Sequence, residues 1–407
     1  MRFGTWKYSH LSTRDVESDG ASDDDFVEGK ADESLPHNER STRRHGWQRT
    51  AIIVAGVAIL TLTALYLLNI LLLPGAWDDA ARQECREPAI RKEWRTMPHE
   101  DKHAYISAVQ CFMDLPSNVR DGTSAYDDLV LAHAQTGSYS HYAAAFLPWH
   151  RLFVHVFEET LQEKCGYEGA VPYWDWTKDY LDLSSAPVWD DHAGFGGNGV
   201  VSSDHDTSSS TRPDPSHLKC VQDGAFANTD RAWNGTSEGS STHSVAYWPH
   251  CMERDFVGEA AGADAQRASE AARLGDAVSP SNVEATLAQP DYDSFFEAFE
   301  TGAHNSIPQF VRGEWLSLTA PNDPVFFLHH AQVDRLWWLW QQRDPETRLR
   351  EFHGPAQDFL TGHGGEGDAS TSAEASATDM LPMAGLAPDR HVVDVMDTEG
   401  GFLCYVY

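Results

Sequence analysis

Residues 326–341 carry apolar and aromatic side chains at helical spacing, and His330, Val333, Trp337 and Trp340 share the stripe that such a helix turns toward the core. A polar ring on that face needs a hydrogen-bond partner or a metal. The situation recurs along the chain. Periodicity over 124–134 sets Tyr126, Leu129 and His133 on one stripe, and a third helix is expected from Pro148 past Glu158, with His150 in its first turn. His141 lies between them, and His304 follows a further helical stretch over 291–300. A lone inward histidine is commonly a hydrogen-bonded core residue, but several on separate core-facing helices point to metal. All-imidazole ligation suits copper, zinc, iron or nickel, and spacing does not choose among them.

Residues 51–73 contain no charge. Twenty-three residues of helix span about 34 Å against a hydrocarbon thickness of about 30 Å, so this run is read as a transmembrane anchor. It starts after 50 polar residues and lacks a cleavage pattern in its last turn, unlike a signal peptide. Arg40, Arg43, Arg44 and Arg49 precede it, while Asp78, Asp79 and Glu84 follow with Arg82, a basic excess on the N-terminal side that places the N-terminus in the cytosol and the bulk of the chain on the lumenal or extracellular side. The expected organisation is therefore a disordered cytosolic tail over 1–50, an anchor over 51–73 and one folded domain over 74–407. All six cysteines, and the glycosylation acceptor Asn234-Gly235-Thr236, fall after the anchor, as disulfides in an oxidising compartment would. Sixty-two acidic against 30 basic side chains give a net charge of -32, a field that repels phosphate backbones, so no nucleic-acid partner is expected. A first helix is expected near 91–113, a long irregular insertion over about 183–244, and a low-complexity loop over 362–378.

Two longer patterns surround the histidines. His141-x4-Phe146-Leu147-Pro148-Trp149-His150-Arg151-x6-Glu158 and Asp323-Pro324-x-Phe326-Phe327-x2-His330-x3-Asp334 resemble the two copper-site signatures of the tyrosinase, catechol oxidase and molluscan hemocyanin superfamily. Pro172-Tyr173-Trp174-Asp175-Trp176 resembles a further family segment, and residues 85–407 are similar to a short fungal tyrosinase. The resemblance implies a mainly α fold, a four-helix bundle holding two copper ions with long loops and few short strands. It implies oxidation of a small phenolic substrate, a phenol or o-diphenol, to the o-quinone with dioxygen, in fungal pigment or secondary metabolism. The alternatives are a specialised catechol-only oxidase and a non-catalytic dioxygen- or copper-binding protein.

Carried over by position, copper A would take His133, His141 and His150, and copper B His304 and His330. His329 matches a neighbouring histidine that is usually not a ligand. Asn305 is the candidate catalytic residue, matching a position that helps hold a water near the phenol, although a helix-start hydrogen bond is an equally available role. Asp334 would orient groups around the metal ligands. The sequence departs from the pattern at Pro308, where the family has a third copper B histidine. Proline brings no donor and disfavours helical geometry at Ile307, so His329, Gln309 or water would have to complete the site. Tyr139 stands where fungal relatives carry a cysteine joined to a copper A histidine, and Tyr405-Val406-Tyr407 resembles the end of the family's core domain. The family pattern pairs Cys220 with Cys251 and Cys85 with Cys111, leaving Cys165 and Cys404. Protease added outside intact vesicles should clip the tail and spare the domain; digestion of the domain would reverse this topology.

Overall fold

The computed structural model describes residues 54, 56, 57, 61, 63, 85–201, 219–236, 244–258, 265–357 and 373–407. The chain divides into two compact units, Met1–Pro74 and Gly75–Tyr407. In the first, the five described residues are helical and exposed. The expected tail and nearly all of the expected anchor lie outside the described residues, and no helix among those described is long and apolar enough to cross a membrane.

The second unit is mainly helical. Helix α1 (His99–Asp114) follows Pro98, carries Glu100 and Asp101 in its first turn, and buries Tyr105, Val109 and Phe112. The expected start near 91 is displaced because residues 91–98 are held as an extended segment and a 3₁₀ turn. Helix α2 (Ala125–Ser140) opens on a capping box between Ser124 and Asp127. Helix α3 (Phe146–Cys165) is almost wholly buried for its first three turns and stops at Gly166, whose φ of 65° is the left-handed conformation glycine tolerates. Then come α4 (Ala265–Ala277), α5 (Pro280–Leu287) and α6 (Tyr292–Phe299), a π-helical turn Glu300–His304, α7 (Asn305–Val311) and α8 (Val325–Gln342). Helix α3 is central, packing on α1, α2 and α8. The start of α8 is fixed by Asp323, which caps the Val325 amide at 3.0 Å and is itself held by both arms of the buried Arg254 guanidinium.

The expected irregular insertion contains more order than its Ser, Asp and Gly content suggests. Strands Asp230–Thr236 and Ser244–Cys251 form an antiparallel hairpin, and the Cys220–Cys251 disulfide ties its last residue to the strand Lys219–Cys220. The expected Cys85–Cys111 pair is corrected: Cys85 bonds Cys404, and Cys111 bonds Cys165. Parallel pairing of Ala89–Ile90 with Tyr405–Val406 brings the two ends of the unit together, and packing of α1 on α3 brings Cys111 to the last residue of α3.

One buried carboxylate ties these elements. Asp334 of α8 accepts from Arg151 Nε of α3, from Arg91 Nη1 at 3.1 Å and from the hydroxyls of Tyr405 and Tyr407. Arg91 also meets Glu158 at 3.2 Å. Asp334 therefore does not act as expected from the sequence: its described partners are guanidiniums and phenols, not imidazoles. Asp334→Ala strands two buried guanidiniums, and we expect a loss of about 3–5 kcal/mol in chemical denaturation.

A second buried cluster sets a pH dependence. Burial opposes charge on His250, but Glu314 at 2.9 Å overcomes it and lifts the imidazole from 6.5 to about 9. Burial, with Glu314 adding repulsion, raises Glu253 from 4.5 to about 7. Both groups hold protons more tightly in the folded chain, so their stabilisation is complete below their unfolded values and is lost as pH rises through about 7 and then about 9. Urea denaturation should show stability falling from pH 5 to pH 9, more gently in Glu314→Gln.

Candidate metal centre

The histidines from α2, the α2–α3 loop and α3 form one triad. His133, His141 and His150 present ligand atoms that all lie within 4.8 Å of one another. Each ring is oriented through Nδ1 by a backbone carbonyl: His133 by Leu318 at 2.7 Å, His141 by Gly137 at 3.2 Å and His150 by Phe146 at 2.8 Å. A carbonyl only accepts, so these Nδ1 atoms carry the proton and the Nε2 lone pairs face inward. The lone pairs of His133 and His150 then oppose one another at 3.3 Å with no proton between them, an arrangement that a cation relieves. This triad fits a metal ion.

The second triad is His304, His329 and His330, again with ligand atoms within 4.8 Å. His304 closes the π-helical turn, and its Nδ1 donates to Asn305 Oδ1 at 3.0 Å. His329 and His330 come from the second turn of α8, fully enclosed. The two triads adjoin, since His150 and His330 stack at 4.2 Å between ring centroids. Phe146 and Phe326 wall both, Phe146 lying 4.8 Å from His304 and Phe326 4.2 Å from His330. Burial and then the neighbouring imidazoles hold His133, His150, His329 and His330 well below the ordinary value, and His304 at about 3. Neutral rings with free lone pairs are what metal ligation requires.

All five histidines expected as ligands are thus brought together. Asn305 belongs to the second triad's surroundings, with its amide nitrogen donating to the Tyr142 hydroxyl at 3.1 Å. The expected disruption at Ile307 does not occur: Ile307 is buried inside α7, and the chain accepts Pro308 one turn into that helix, directly after the π-helical turn. Gln309 is exposed and accepts from Arg273, so it does not join the centre. His155 packs on Phe402 and pairs with Glu159 away from both triads.

Two site residues escaped the sequence reading. Glu300 is fully buried one turn before His304, and its Oε1 accepts from the Tyr142 amide at 2.8 Å. Tyr142 sits at a φ of 51°, unusual for a side chain of that size. The available signals were an acid four residues before a ligand histidine and a tyrosine directly after another. Replacing Asn305 by alanine frees the His304 ring, and copper titration against a competing chelator should show affinity at this triad about 10–100-fold weaker.

A helical domain with this donor set belongs to the class of proteins that can hold a metal ion at each of two imidazole triads. Comparison identifies which. The profile of the common central domain of tyrosinase matches residues 123–343. Tyrosinase-like protein phomQ1 from Diaporthe leptostromiformis is 45% identical over 411 residues, covering 99% of this chain and 98% of that one. Tyrosinase ustQ from Aspergillus flavus is 36% identical over 356 residues, covering 87% and 89%. N-acetyl-6-hydroxytryptophan oxidase ivoB from Emericella nidulans is 28% identical, covering 82% and 95%. A solved structure of a mutant polyphenol oxidase from Thermothelomyces thermophila superposes with a TM-score of 0.62 at 28% identity, covering 79% and 88%. The chain belongs to the tyrosinase family, whose members bind copper.

Proposed function

We propose that the protein is a copper-dependent oxidase that converts a small phenol or o-diphenol to the o-quinone with dioxygen, in pigment or secondary metabolism. The observation that carries this reading is the pair of adjoining imidazole triads, each with its ligand atoms within 4.8 Å of one another. His133, His141 and His150 would hold one ion, and His304 and His330 the other. Copper supplies the electron exchange with dioxygen that no side chain provides. The chain supplies the rest. Carbonyls fix the ring tautomers of the first triad, and Phe146, Trp149 and Phe326 pack against its rings. Asn305 and the Tyr142 hydroxyl form a polar edge beside His304, where the substrate hydroxyl would be received, and Glu300 holds the Tyr142 backbone in place. The family relative named for N-acetyl-6-hydroxytryptophan supports a hydroxylated aromatic ring as substrate.

Pro308 favours a second, narrower reading, in which the altered copper B site leaves a catechol oxidase without phenol hydroxylation. The proposal also includes anchorage by residues 51–73 with the copper domain on the lumenal or extracellular side, supported by three disulfides in the domain. The test is copper loading followed by assays with a monophenol and an o-diphenol, with the quinone trapped as a coloured adduct. We expect two coppers per chain and turnover of at least the o-diphenol, and His133→Ala should lose one copper and all turnover. Copper-loaded protein that oxidises neither substrate would refute the oxidase reading.

A further inference from the structure

Pro308 brings no imidazole to the second metal site, and among the described residues His329 clusters there with His304 and His330. His329 is fully buried, yet neither of its ring nitrogens has a hydrogen-bond partner. An imidazole enclosed in this way forfeits hydration at two polar atoms, a cost of about 1–3 kcal/mol for each unsatisfied group. The tryptophans beside it give it no hydrogen bond, Trp315 lying 5.5 Å away between centroids and Trp176 6.5 Å. On its open sides stand His304, at 5.1 Å between centroids, and His330, at 5.0 Å.

Consecutive helix residues diverge by about 100° around the axis. His329 and His330 therefore leave α8 in different directions, yet with His304, delivered by the π-helical turn, their ligand atoms fall within 4.8 Å of one another. The other donors considered are elsewhere: Gln309 is on the surface, and Pro308 has no donor atom.

We propose that His329 is the third protein ligand of the second copper, replacing the imidazole that position 308 does not supply. The inference rests on the copper reading above, extended to a centre of three plus three imidazoles in which two ligands are adjacent in sequence. It accounts for the orphaned ring, and it makes the proline tolerable, because the ligand lost from α7 is recovered from α8.

The experiment measures copper per chain after dialysis, by elemental analysis, with Cu(II) paramagnetic resonance on the same samples. Wild type should hold two ions. His329→Phe fills the volume and needs no polar partner, so it should fold, keep the first ion and lose the second, leaving one ion with the signal of an isolated Cu(II). Should the phenylalanine variant fail to fold, His329→Asn takes its place with the same expectation. His329→Cys restores a donor and should regain part of the second ion. A folded His329→Phe or His329→Asn protein holding two ions would overturn the inference while leaving the copper reading intact. Loss of both ions from a folded variant would also overturn it, since the first triad does not include His329. Wild-type protein holding fewer than two ions would overturn the paired-copper reading and this inference together.

Discussion

The metal centre depends on a carboxylate that does not touch it. Asp334 lies one helical turn beyond His330, and Arg151, which binds it, directly follows His150. The ion pair thus fixes the register of α3 against α8 at the level where His150 and His330 stack. Sliding either helix by one residue would move its imidazole about 1.5 Å along the axis and turn it about 100° away. Arg91, Tyr405 and Tyr407 complete the shell, so the two ends of the domain converge on the same carboxylate. Such a centre is expensive to break, because each charge is enclosed and relies on the others for compensation.

Around that frame the protein settles ring orientation cheaply. Three histidines use nearby backbone carbonyls, two of them from their own preceding turn, to fix the protonated nitrogen. The donor geometry of the first triad is therefore largely a property of local helix conformation. The second triad is assembled differently. It draws on a π-helical turn, an asparagine and two adjacent helix residues, and only one of its rings has a described hydrogen bond to orient it. Binding of an ion should accordingly order the second triad more than the first.

Much of this was legible in the sequence, for identifiable reasons. Helical periodicity placed His133 and His330 on core faces, and the long motifs around His150 and His330 disclosed the family. The disulfides at Cys85 and Cys111 were not legible, because their partners are selected by strand pairing and helix packing across 319 and 54 residues. Glu300 and Tyr142 were missed because neither carries a periodic signal of its own; a π-helical turn and a positive φ bring them to the site. Pro308 misled in a narrower way. Proline disfavours helical geometry at Ile307, yet Ile307 and Pro308 both lie inside α7, directly after the π-helical turn.

The Cys85–Cys404 bond has a mechanical meaning as well as a stabilising one. It joins the chain's entry into the domain to its exit, beside the parallel pairing of Ala89–Ile90 with Tyr405–Val406. Tension applied to the chain before residue 85 would pass into a covalent link and across that short ladder in shear. That ladder adjoins the helices that carry the imidazoles, because Arg91, Tyr405 and Tyr407 all bind Asp334, so the covalent link takes the load before it can reach the residues that set the ring spacing.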